Sequence, residues 1–168
     1  MIGPAANNPE LEAQIREGDR LRDTRQYAAA SEAYAAVLAI APQRTDIRIQ
    51  HGNMLKDSGR PAEAEIAYRH ALAATPDDPD IQLQLGHALK LQGKRNEAVA
   101  SYRRAAALRP DNIDALRELF FAGSFDDQQQ LFERRLASGG VEAIMALGEE
   151  IARLQATLQR LAEKLPDL

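Results

Sequence analysis

No cysteine occurs among the 168 residues, which removes structural disulfides, thiolate metal sites and a cysteine nucleophile, and leaves the redox compartment open. No uninterrupted apolar run approaches the ~20 residues that span a bilayer. The opening residues, MIGPAANNP, have neither a basic n-region nor an apolar h-region, so a cytoplasmic protein with no membrane partner is expected. Concentrated positive charge is missing as well. The net charge is -4 and there is no long basic tract, whereas phosphate binding needs a basic face, so nucleic acid is not an expected partner. There is no glycine-rich phosphate loop, no GxSxG elbow and no HExxH. Of the three histidines, His51 falls in a packing slot, His70 on a second helix and His87 toward a groove, and none has partners at ligand or base spacing. The sequence therefore predicts no metal, no cofactor and no catalytic residue, hence no enzyme.

What is present is an ordinary soluble composition, 45% hydrophobic and 27% charged, enough for one continuous core. Its organisation is periodic. The stretch from Leu85 to Pro110, LGHALKLQGKRNEAVASYRRAAALRP, repeats residues found 34 positions earlier and 34 before that. Gly18, Leu21, Ala30, Tyr34 and Pro42 stand in register with Gly52, Leu55, Ala64, Tyr68 and Pro76, and with Gly86, Leu89, Ala98, Tyr102 and Pro110. A fixed period of this size means stacked supersecondary units. Within a block the apolar residues fall in two helical bursts, for example Ile81, Leu85, Ala88 and Leu89, then Ala98, Val99, Tyr102, Ala105 and Ala106. Gly59 and Gly93 suit the left-handed backbone that ends a helix, and Pro61 suits the first turn of the next. Each block is thus a helical hairpin. Small residues at Gly52, Gly86, Ala64 and Ala98 let its two helices approach, and Tyr68 or Tyr102 is expected to fill space toward the following hairpin.

In these residues the chain resembles the tetratricopeptide repeat family over about Leu11 to Leu119. Three positions depart from the family pattern: Gln14, Arg48 and Gln82 replace a large aromatic, His51 replaces a core leucine, and Arg25 takes the interhelical glycine slot. The resemblance implies an all-α fold, a right-handed helical-hairpin solenoid over 9–138 followed by a long C-terminal helix. The expected parts are a flexible tail 1–8, repeats at about 11–44, 45–78 and 79–112, a degenerate capping unit 113–138, and a heptad-patterned helix 141–168. In the capping unit Leu116, Leu119 and Phe120 can cover the open end of the stack. A short helix with Ser124 as N-cap, Asp127 three residues on, and Gly139 and Gly140 at its close follows.

In the last segment Ile144, Leu147, Ile151, Leu154, Leu158, Leu161 and Leu165 alternate in steps of three and four, the heptad seam of a coiled coil. At ~1.5 Å per residue the helix is roughly 37 Å long, more than one repeat can cover. Leaving its leucines in water would forgo ~1.5–3 kcal/mol each. Two arrangements would hide the seam, folding back along the chain or pairing with a second copy. The sustained heptads favour self-association through 141–165, a dimer being simplest.

Stacked hairpins turn by a constant step, so their first helices line one hollow. By resemblance to the family, partner contacts come from four rows on those helices: Arg16, Gln50 and Gln84; Asp19, Asn53 and His87; Arg22, Lys56 and Lys90; Ile15, Ile49 and Leu83. Asn53 and the glutamines donate and accept, which suits a peptide backbone. The basic row has two readings. It could favour an acidic or C-terminal carboxylate segment, or its members could simply complement the dipole at helix C-termini, as Glu12, Asp46 and Asp80 do at N-termini. Relatives that clamp a terminal carboxylate carry basic residues at positions matching Ile49, Asp80 and Gln84, none of which is basic here. The expected function is a protein or peptide interaction module. The alternatives are an N-terminal adaptor or oligomerisation domain of a larger bacterial enzyme such as a glycosyltransferase, and a pure scaffold.

Overall fold

The computed structural model describes residues 9–122, together with Glu149, Ala152, Arg153, Ala156 and Arg160. Residues 9–122 form helices and no strands: α1 (Pro9–Asp23), α2 (Tyr27–Ile40), α3 (Thr45–Asp57), α4 (Pro61–Ala74), α5 (Pro79–Leu91), α6 (Arg95–Leu108) and α7 (Ile113–Ala122). From α3 onward the first helices begin 34 residues apart, at Thr45, Pro79 and Ile113, and the second helices do the same at Tyr27, Pro61 and Arg95. The sequence period is thus a period in space.

Local chemistry sets these boundaries. Pro61 and Pro79 occupy first-turn positions, and the Asp78 side chain caps α5 by accepting from the backbone N–H groups of Asp80 (2.9 Å) and Ile81 (3.1 Å). Within each hairpin the first helix ends on a left-handed residue: Arg25 at φ 60°, Gly59 at φ 82° and Gly93 at φ 75°. The amide that follows then reaches back to the helix, Gln26 to the Leu21 carbonyl (2.8 Å), Arg60 to Leu55 (2.8 Å) and Lys94 to Leu89 (3.0 Å). This is the backbone pattern that glycine normally supplies at a helix end. In the first hairpin an arginine holds it instead.

Packing runs from each helix to its successor, and the first helices α3 and α5 also touch directly. The core falls into two clusters. One joins Leu11, Leu21, Ala30, Tyr34, Val37, Ile47 and Met54; the other runs from Leu55 through Tyr68, Ile81, Leu85, Leu89 and Tyr102 to Ala115, Leu116 and Leu119. Helix α3 contributes Met54 to the first and Leu55 to the second. The buried Leu116 and Leu119 belong to the second cluster, while Phe120 is partly buried and meets Phe121 edge to face.

Tyr34, Tyr68 and Tyr102 are fully buried. Sequence reasoning sent them toward the next hairpin, and they do share clusters with its Ile47, Ile81 and Leu116. Their tightest partner, however, is the glycine of their own first helix. A Cβ placed on Gly18 or Gly52 would lie 2.7 Å from Cε1 of Tyr34 or Tyr68, and one on Gly86 would lie closer still to Tyr102. The glycine is there because the ring needs its space.

The short helix expected from Ser124, the seam of Ile144, Leu147, Ile151, Leu154, Leu158, Leu161 and Leu165, and the tail 1–8 lie outside the described residues. The five described residues near the C-terminus are helical and exposed, and Arg160 Nε donates to the Ala156 carbonyl (3.2 Å).

Candidate partner-binding groove

Helices α1, α3 and α5 carry the four expected rows, and the structure gives each row a different character. Asp19, Asn53 and His87 are half-buried and share one arrangement. Tyr34 Oη donates to Asp19 Oδ1 (2.7 Å) and Tyr68 Oη to Asn53 Oδ1 (2.7 Å), while Tyr102 Oη lies 3.2 Å from His87 Nδ1, the ring tautomer deciding which donates. The His87 and Tyr102 rings meet edge to face at 5.5 Å. The three groove residues are therefore held from beneath by the tyrosine of their own hairpin, 15 positions on. That constant offset was readable in the sequence and was missed.

These contacts bias titration. Burial, followed by the hydrogen bond to Asp19, raises the Tyr34 phenol, and burial raises Tyr68 and Tyr102. Burial also lowers His87 below its ordinary value, with Lys56 and Lys90 adding to that effect against the opposing pull of Glu118 and Asp114. Burial thus favours the neutral form of His87. His51, partly buried on the other side of α3, is lowered by burial and then by Arg60 and Arg48, as suits its packing slot.

Arg22, Lys56 and Lys90 each stand in the last turn of a first helix, where a cation complements the dipole. Each also has a carboxylate of the chain's own: Arg22 has Asp19 (2.9 Å) and Asp23 (3.0 Å), Lys56 has Asp57 (2.7 Å), and Lys90 has Glu118 (2.7 Å). The row is basic in sequence and neutralised in space. Glu118, absent from the sequence-based set, sits 34 residues after Gln84 and so continues the row of Arg16, Gln50 and Gln84. Arg16 is exposed and the two glutamines half-buried. In the aliphatic row Leu83 is buried, whereas Ile49 and Ile15 are only partly buried. Leu83 is only 6% exposed, Ile49 packs on the same cluster and Ile15 on the other.

The arrangement offers fixed polar atoms and internally paired charges, suited to holding a chain by hydrogen bonds. Among the described residues no group of three or more His, Asp or Glu could hold a metal ion, and no helix is long and apolar enough to cross a membrane.

Two sequence profiles of one repeat class match the chain, that described as "Tetratricopeptide repeat" over residues 21–86 and that described as "TPR repeat" over 86–119. Together they run without a gap across more than half of it. The chain belongs to the tetratricopeptide repeat family. Solved structures agree in fold: MamA (41-end) from Desulfovibrio magneticus RS-1 superposes with a TM-score of 0.68 at 21% identity, over 79% of this chain and 75% of that one. The first tetratricopeptide domain of Spaghetti (RPAP3), bound to the HSP90 peptide SRMEEVD, gives 0.65 at 20% identity over 71% and 95%. The second domain of human RPAP3, in complex with the HSP70 peptide SGPTIEEVD, gives 0.62 at 21% identity over 67% and 97%. No curated protein sequence matches the chain.

Proposed function

We propose that this protein is an interaction module that holds an extended segment of a partner protein along the first helices α1, α3 and α5. The carrying observation is the tyrosine-held row of Asp19, Asn53 and His87. Because Asn53 Oδ1 takes the Tyr68 hydroxyl, its amide hydrogens are left to face a partner's carbonyls. Gln50 and Gln84 beside it add donors and acceptors of the same kind. Two structural relatives carry peptides, as their descriptions state, which supports the same use of this stack.

The test is the double variant N53A/K56A. Partners captured by the wild-type chain are identified, and a synthetic segment of one is titrated calorimetrically against both proteins. A loss of affinity of about tenfold or more is expected, since two polar contacts, one of them charged, are removed. Unchanged affinity would sink the groove assignment.

The second part of the proposal is self-association through the heptad residues of 141–165, with the repeat stack displayed at the end of the paired helices. It rests on the sequence pattern of that segment. Light scattering of the full chain should give twice the 18.5 kDa mass of one copy, and I151D/L158D should return it to one. A monomer at high concentration would end this part and leave the groove untouched.

A further inference from the structure

We propose that Glu118 of α7 is an internal occupant of the basic row, and that it makes the groove refuse acidic segments and accept segments that are uncharged there. This rests on the groove reading above and adds the chemistry of the partner.

The argument starts from the period. Glu118 stands in the row of Arg16, Gln50 and Gln84, so the row runs from a cation through two amides to an anion. In the first two repeats the facing positions of the next helix are Gln50 and Gln84, and Arg22 and Lys56 find their carboxylates within their own hairpin's first helix, in Asp19, Asp23 and Asp57. Lys90 has no such neighbour, because Leu91 follows it where Asp57 follows Lys56. Its carboxylate comes instead from the next helix. Glu118 Oε2 lies 2.7 Å from Lys90 Nζ, and Oε1 lies 3.9 Å from His87 Nδ1. The Glu118 side chain is only 18% exposed, while Lys90 is 55% exposed. The anion is thus seated within the row and the cation reaches over to it.

An acidic side chain entering at Lys90 would have to break a charge-assisted hydrogen bond already made, and would then lie beside the displaced Glu118 and near Asp114 of the same helix. Like charges at that distance repel. His87, close to the Tyr102 hydroxyl and pushed by burial toward its neutral form, does little to offset this. What stays open to a partner around Lys90 is uncharged, chiefly the amide of Gln84, with the amides of Asn53 and Gln50 and the cations Lys56 and Arg16 further along the stack. Those amides match main-chain carbonyls.

The experiment uses the full chain and fluorescence anisotropy with two labelled probes, the acidic heptapeptide SRMEEVD and its amide counterpart SRMQQVN with a blocked C-terminus. Glu118→Gln keeps the side-chain shape and removes the charge. It should bind the acidic probe about tenfold or more tightly than the wild type does, the worth of one charged hydrogen bond. Binding of the uncharged probe should change by a smaller factor than that of the acidic probe, because it carries no charge for Lys90 to take up. Adding Lys90→Met should remove the gain, because the cation it exposes is gone. Glu118→Met, which preserves packing on α7, should show the same gain should the glutamine variant melt early. Equal acidic-probe affinity in wild type and both Glu118 variants, including no binding in any, overturns the proposal. So does a gain that survives Lys90→Met. Failure of the groove reading has a separate signature, an uncharged probe that binds equally to wild type and to N53A/K56A.

Discussion

Arg25 is the one non-glycine residue with positive φ among those described, and it holds the place that Gly59 and Gly93 hold in the next two hairpins. A side chain with a Cβ in that region costs about 1–2 kcal/mol. Part of this is offset because glycine loses more chain entropy on folding. Arg25→Gly should therefore stabilise the chain by about 0.5–1 kcal/mol, read as a raised urea midpoint with unchanged slope. Gly52 is the opposite case. Its helical backbone is ordinary, and the limit is the Tyr68 ring 2.7 Å from where a Cβ would sit. Gly52→Ala should destabilise by about 1–3 kcal/mol through overpacking, despite alanine's better helix propensity. Both residues stood out in the sequence, as an exception to a repeat and as a member of one. The reason for the glycine did not, because its partner is 16 residues away and only packing brings them together.

Between elements, the least expected contact is made by Glu65 of α4. Its periodic counterparts are Ser31 and Val99, and all three are buried. Glu65 is 8% exposed and receives Arg69 Nε (2.9 Å), Gln92 Nε2 (2.8 Å) and Lys94 Nζ (2.8 Å), which ties α4 to the turn between α5 and α6. Burial alone would raise its carboxyl, but the hydrogen bonds from Lys94, Gln92 and Arg69 outweigh that and lower it from 4.5 to about 2. A carboxyl lowered on folding contributes stability above its unfolded value, and the contribution fades as pH falls from about 4.5 toward 2. Arg69 and Lys94 are 50% and 42% exposed, so solvent screens the cluster and its worth is about 2 kcal/mol. Glu65→Gln should lose that amount at pH 7 and flatten the acid limb of a stability-against-pH curve measured by urea unfolding. In the sequence Glu65 is an unremarked carboxylate on a helix, because its partners lie 27 and 29 residues on.

At the scale of the whole molecule, stability is distributed along a line of neighbours, each hairpin resting on the next. Among the described residues the first hairpin has one neighbour and carries the strained Arg25, whereas α5 is packed by α4, α6 and α3. Native-state hydrogen exchange should find α1 and α2 opening at lower free energy than α5, and Arg25→Gly should narrow the gap. Equal protection throughout would show that the stack unfolds as one unit. Within residues 9–122 the sequence by itself determined the 34-residue step of the hairpins, the left-handed positions that end the first helices and the repeated buried alanines and tyrosines, because these depend on local backbone preference and on apolar spacing. It also placed the groove rows on the first helices, since a constant period puts like positions on like faces. Only the tertiary structure decided what those rows can offer. Leu83 went to the core, Asp19, Asn53 and His87 were bound from below by tyrosines, and Lys90 met Glu118 from the next helix. These outcomes turn on which charges and rings come within a few ångströms across helices, a distance that a period along the chain does not fix.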